Sequence, residues 1–163
     1  ISSLYTLADV INAGCRDGEL DVRGVSHRGY FATITDFKSY HDANMDLIDY
    51  KTATDLFHDN WPIYTRTNNS CPTHYFDTAN VSNSVISNGS MIEGTVENSI
   101  VGRGCTIKKG AVIKNCVVLA DCTIGENVHI ENLVVDKHAK ITHAKEIICP
   151  ADEPGYIKRN DTL

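Results

Sequence analysis

The sequence predicts a mainly β fold: a parallel β-helix of stacked coils, preceded by a short α/β segment. Three observations carry that expectation. The tetrapeptide Asn83-Ser84-Val85-Ile86 returns as Asn98-Ser99-Ile100-Val101, as Asn115-Cys116-Val117-Val118 and as Asn132-Leu133-Val134-Val135. The intervals are 15, 17 and 17 residues, about three hexapeptides each. At these intervals side chains of one size fall into columns: Ile92, Ile107, Ile124 and Ile141 in one, Ser90, Cys105, Cys122 and Ala139 in another, Ile113, Ile130 and Ile147 in a third. An amphipathic helix would repeat near 3.6 residues and a hairpin sheet would alternate strictly. A period near 17 with constant size per column means coils stacked roughly 4.8 Å apart, each burying what its neighbour cannot bury alone.

The elements follow in order. Leu4, Leu7, Ala8 and Ile11 have helical spacing, with Ser2 or Ser3 as N-cap and Gly14 as a stop. Leu20 to Val25 and Tyr30 to Ile34 read as short strands around Gly29. Asp36 caps a second helix whose apolar side is Phe37, Tyr40, Leu47 and Ile48. This α-β-β-α series is too small for a sheet with a covering layer. Residues 1–50 are therefore expected to be the remnant of a larger α/β domain, in a chain that opens on Ile-Ser-Ser and reads as a piece of a longer polypeptide.

Residues 51–80 hold Pro62, Pro72 and Asn68-Asn69-Ser70 and read as a linker. Trp61, Tyr64, Tyr75 and Phe76 argue that it is docked. The coils span 81–148. The first is two residues short between Ile92 and Asn98, so one of its corners should be tighter. The tail, 149–163, either folds over the last coil or leaves an open edge for self-association.

Composition excludes several classes. The 163 residues carry a net charge of −6 without a long basic run, against a nucleic-acid partner. The longest apolar run, Cys116 to Ala120, is far short of the roughly 20 residues of a membrane span. None of the six cysteines forms a C-x-x-C pair. With no secretory signal, free thiols in the cytoplasm are expected. Cys105 and Cys122 should lie on adjacent coils, either as small buried side chains or close enough for a disulfide. His129, His138 and His143 lie among the coils in no ligand-like spacing.

Hexapeptide periodicity of this kind resembles the left-handed β-helix, and the hand is taken from that resemblance. A closer likeness covers about residues 7–145. Gly29-Tyr30-Phe31-Ala32-Thr33-Ile34, Ser39-Tyr40 and Ala43-Asn44-Met45-Asp46-Leu47 resemble the end of the catalytic domain of bacterial glucose-1-phosphate adenylyltransferases (ADP-glucose pyrophosphorylases). Trp61-Pro62-Ile63-Tyr64-Thr65-Arg66 resembles that family's linker. Val85-Ile86-Ser87-Asn88-Gly89 and Gly94-Thr95-Val96-Glu97-Asn98-Ser99 resemble its first coil.

The resemblance implies a subunit of an enzyme that joins ATP and glucose 1-phosphate into ADP-glucose and pyrophosphate for glycogen synthesis. The family's phosphate-binding glycine-rich loop has no counterpart here, so no catalytic residue is assigned and the piece is not expected to act alone. Active members resemble Gly-Tyr-Trp-x-Asp-Val-Gly-Thr, whose Asp helps hold Mg²⁺. Here Thr33 stands at the Asp position and Thr35 at the glycine. A hydroxyl supplies no charge to a hard cation. This pattern resembles the GlgD-type subunit, which modulates a catalytic partner; Mg²⁺ is expected of the parent assembly, and no metal or cofactor of this segment.

The family's β-helix carries subunit contacts, so an oligomer is implied. Its effectors bind near the domain junction, where Arg66 is the effector residue matched by a motif; Arg103, Lys108 and Lys109 are further cationic candidates for a small phosphorylated effector. Other readings are a hexapeptide acyltransferase using a histidine such as His129, a purely structural oligomerisation domain, or a pyrophosphorylase of another base or sugar.

Overall fold

The computed structural model describes residues 6–65 and 67–163. The chain first forms helices α1 (Leu7–Arg16), α2 (Phe37–Met45) and α3 (Tyr50–Leu56), with a 3-10 turn at Asp46–Ile48 between the last two. Fifteen short strands follow among the described residues, three to a coil. The first coil holds β1 (His74–Tyr75), β2 (Asn80–Ser82) and β3 (Val85–Ile86); the second β4 (Met91–Ile92), β5 (Thr95–Glu97) and β6 (Ile100–Val101). The third holds β7 (Thr106–Ile107), β8 (Val112–Lys114) and β9 (Val117–Val118); the fourth β10 (Thr123–Ile124), β11 (His129–Glu131) and β12 (Leu133–Val135). The fifth holds β13 (Lys140–Ile141), β14 (Glu146–Ile148) and β15 (Gly155–Ile157).

Strands of like position pair in parallel into three five-stranded faces: β1-β4-β7-β10-β13, β2-β5-β8-β11-β14 and β3-β6-β9-β12-β15. The stack thus rises through four coil-to-coil steps and is a left-handed β-helix of hexapeptide repeats. The columns read from the repeat are the registers of these faces. Ile92, Ile107, Ile124 and Ile141 are in sequential register, and so are Ile113, Ile130 and Ile147. Their side chains fill the interior with Val96, Val101, Val118 and Val135. Ser90, Cys105, Cys122 and Ala139 stack beside them, all buried, and the cysteines are free thiols.

Three rows of left-handed backbone turn the corners. Asn83, Asn98, Asn115 and Asn132 have φ of 42°, 43°, 49° and 55°, a conformation asparagine tolerates better than most residues. Their amides form a ladder: Asn83 Nδ2 donates to Asn98 Oδ1 at 2.7 Å, and Asn98 Nδ2 to Asn115 Oδ1 at 2.8 Å. Asn132 Nδ2 donates to the Cys149 carbonyl at 2.7 Å. The recurrence of asparagine therefore has two causes, a backbone angle and a stacked amide. The short corner falls between β4 and β5, where Gly94 lets the second coil lie against the third.

The ladder extends beyond the 81–148 span given by the repeat. β1 begins at His74, and β15 completes the third face from within the expected tail. The repeat hides β15 because the loop 149–154 breaks the 17-residue period. The end of the chain then folds over the last coil: Lys140 bridges Thr162, and the Thr142 and His143 amides both donate to the Leu163 carbonyl at 2.7 Å.

The first third departs from expectation. The cap of α1 is Thr6, in a reciprocal capping box with Asp9; Ser2, Ser3 and Leu4 lie outside the described residues. Gly14 lies inside α1 instead of ending it. Neither expected strand forms. Leu20–Val25 and Tyr30–Ile34 are irregular, with Val25 92% and Phe31 77% exposed. A strand needs a ladder partner, and no described strand lies beside these segments. Asp36 does cap α2, accepting from Ser39 N at 2.7 Å.

Helix α2 lies on the third face. Outward side chains there form an apolar column, Val85, Ile100, Val117 and Val134, and Val117 and Val134 are buried. The buried His41 donates from Nε2 to the Asn115 carbonyl at 2.9 Å. Phe37 meets Tyr156 edge-on, ring centroids 5.4 Å apart. No helix among the described residues is long and apolar enough to cross a membrane.

Candidate functional site: a cationic corner of the solenoid

The corner from the third face to the first is built from two adjacent rows. One turns the backbone: Gly89, Gly104, Asp121 and His138, with φ of 83°, 67°, 61° and 63°. Just before it runs Asn88, Arg103, Ala120, Lys137 and Arg159, one residue per coil. Hydrogen bonds between successive coils hold the register. The amides of Gly104, Asp121, His138 and Asn160 donate to the carbonyls of Asn88, Arg103, Ala120 and Lys137 at 3.2, 2.8, 3.0 and 3.1 Å.

Side chains in such a row project side by side. Arg103, Lys137 and Arg159 therefore point from one edge, and the small Ala120 leaves a gap between the first two. The gap opens into a cavity of about 480 Å³, closed on one side by Thr67 and Asn68. Among the described residues the lining holds the cations Arg103, Lys137 and Arg159 and one carboxylate, Asp121, whose Oδ2 lies 3.7 Å from His138 Nδ1. Stacked like charges repel, and an anion between them relieves the repulsion. Guanidinium and ammonium groups also provide the donors that phosphoryl oxygens accept.

Asp136 lies behind the cations. Its carboxyl is held below the usual carboxylate range, chiefly by the backbone N–H of Lys137 and further by the Tyr156 hydroxyl and the charges of Arg159 and Lys137. Tyr156 is pushed up by its hydrogen bond to Asp136.

The structure brings together only part of the expected set. Arg103 and His138 line the cavity. Lys108 and Lys109 lie at a different corner, where Lys108 Nζ is 3.6 Å from Glu93 Oε1. Arg66 falls outside the described residues. Thr33 is exposed on the irregular segment before α2. His129 is on the second face between Glu131 and Glu146, at 3.7 and 3.4 Å, and His143 is exposed beyond β13; the three histidines do not meet. Lys137 and Arg159 escaped the sequence reading. Lys137 was legible, 17 residues after Ala120 and 34 after Arg103. Arg159 was not, because the loop 149–154 shifts it out of phase.

A three-faced parallel coil with one hexapeptide to a face defines a hexapeptide-repeat protein. The sequence profile for the GlmU-like, C-terminal hexapeptide family matches residues 72–153, half of the chain, and the chain belongs to that family. Among curated proteins it is similar to "Glycogen biosynthesis protein GlgD" of Bacillus subtilis (strain 168), 38% identical over 133 residues, which cover 82% of this chain and 39% of that protein. It is also similar to the glucose-1-phosphate adenylyltransferase of Geobacillus stearothermophilus, 42% identical over 86 residues, 53% of this chain and 22% of the relative. The enzyme of that name from Bacillus mycoides (strain KBAB4) is 36% identical over 107 residues, 66% of this chain and 28% of the relative. The chain spans less than half the length of each of these relatives.

Proposed function

We propose that this chain is the β-helical, regulatory part of a glucose-1-phosphate adenylyltransferase subunit of glycogen synthesis, of the non-catalytic GlgD kind, assembling in the cytoplasm with a catalytic subunit. Its cationic corner receives a small phosphorylated effector. The observation that carries the reading is the Arg103–Lys137–Arg159 row, with Ala120 opening room for a ligand of sugar-phosphate size. The likeness to a GlgD protein over 82% of the chain supports the choice of subunit.

The family position for Mg²⁺ does not suit that ion here. Thr33 offers a neutral hydroxyl, its neighbours Ala32, Ile34 and Thr35 carry no carboxylate, and the nearest one, Asp36, is engaged in capping α2. A hard dication needs charged oxygen, so no step of the reaction is drawn through this segment. The full-length subunit assayed without a partner should make ADP-glucose at least about 100-fold more slowly than a catalytic subunit. Robust synthesis by the subunit alone would overturn the non-catalytic assignment.

A thermal-shift comparison tests the pocket, since a ligand that binds only the native state raises its stability. Fructose 1,6-bisphosphate at about a hundredfold excess over Kd should raise Tm by roughly 5 °C or more. Lys137→Ala and Arg159→Ala should each weaken binding about 10-fold or more, a charge-assisted hydrogen bond being lost in each. A shift with acetyl-CoA in place of the bisphosphate would favour the acyltransferase reading.

A further inference from the structure

Asp136 stands between the cationic corner and helix α2, and its two carboxylate oxygens face different partners. Oδ1 accepts from the backbone N–H of Lys137 at 2.6 Å. Oδ2 accepts from the Tyr156 hydroxyl at 2.8 Å. The Asp136 backbone is fixed as well: its amide donates to the Ile157 carbonyl at 3.0 Å, and its carbonyl accepts from the Cys122 thiol at 3.1 Å. Tyr156 in turn presents its ring to Phe37, the first residue of α2, with the planes at 72°.

We propose that Asp136 and Tyr156 transmit occupancy of the Arg103–Lys137–Arg159 pocket to α2, so that a bound phosphoryl anion seats the helix more firmly on the third face. The proposal rests on the anion-pocket reading above. The cations beside Asp136 stabilise its carboxylate. An anion between Lys137 and Arg159 takes up part of that positive field, and Asp136 becomes a stronger acceptor for the Tyr156 proton. The ring contact on Phe37 tightens with it.

Helix α2 is suited to respond. Beyond its apolar packing over Val117 and Val134, its described contacts with the stack are chiefly Phe37 on Tyr156 and His41 on Asn115. The Tyr156 contact is at the rim, with the residue 49% exposed, where it can form and break. Elements held by few contacts sit at the low-stability end of a fold and are readily biased. The helix begins four residues after Thr33, so its seating reaches the segment where the resemblance places the catalytic domain's edge.

Hydrogen exchange of the full-length subunit, with and without saturating fructose 1,6-bisphosphate, tests the relay. In the wild type the amides of Tyr40–Met45 should exchange about fivefold more slowly with the bisphosphate. In Tyr156→Phe the ring stays and the hydroxyl goes. That ratio should fall to about one, while binding persists and weakens no more than about fivefold, because coupling is reciprocal. Asp136→Asn should behave alike, and protected amides at Ile107 and Ile124 report that both variants are folded. Were Tyr156 merely structural, exchange would speed up equally in both conditions and the wild-type ratio would survive, which overturns the relay. Saturable binding that leaves wild-type α2 unprotected overturns the relay and spares the pocket. No saturable binding to the wild type overturns both.

Discussion

Ile124→Ala is expected to lower the unfolding free energy by about 3–4 kcal/mol, read as a reduced urea midpoint with little change in slope. Ile124 is fully buried and sits between Ile107 and Ile141 in the same column. Truncation removes the transfer energy of the lost carbons and leaves a void. The void can close only if a coil sinks toward its neighbour, and the backbone hydrogen bonds of Thr123 and Gly125 to Ala139 and Ile141, at 3.0 and 2.7 Å, oppose that movement. In a solenoid each coil is stabilised by the coils on either side, so damage in a middle coil weakens two interfaces. Met91 on the same face points outward and is 46% exposed. Met91→Ala should cost less than about 1 kcal/mol. Equal losses at the two positions would contradict the assignment of inside and outside.

Gly94→Ala should destabilise by about 2–3 kcal/mol, although a glycine-to-alanine change at a compatible site usually stabilises by about 0.4–1 kcal/mol through the unfolded chain. The reversal comes from the short corner. A Cβ on Gly94 would lie 2.6 Å from the Ala111 carbonyl oxygen and 2.8 Å from that of Lys108. Both are backbone atoms of the next coil and cannot rotate away. The Ala111 oxygen also accepts the Thr95 amide at 2.7 Å, so relief of the clash breaks a rung of the second face. Gly24 is the internal comparison, with nothing within 4 Å of its virtual Cβ; Gly24→Ala should be neutral or slightly stabilising in the same urea titration. A neutral Gly94→Ala would mean that the corner has room that the two-residue deletion denies it.

The coils were legible because the repeat is a direct image of the stacking. Ile107 and Ile124 are 17 residues apart in sequence and adjacent in register, so one interval locates the whole interior. The short corner at Gly94 could be read for the same reason. The candidate site was half legible. Arg103 could be suspected as a cation and Lys137 follows from the same 17-residue period, but Arg159 lies out of phase behind the loop 149–154. The irregular segments 20–25 and 30–34 misled because alternating apolar residues indicate a capacity to pair and do not supply the partner.

The chain's periodicity by itself determined the architecture, the inward columns and the tight corner, since each depends on residues at a constant separation along one coil. Tertiary structure alone decided that α2 covers the outward column at Val117 and Val134, that the end of the chain caps the last coil, and that Arg159 joins Arg103 and Lys137. Those contacts join segments whose separations repeat nowhere else in the chain. Such pairings are set by shape and charge in three dimensions, and a period carries no information about them.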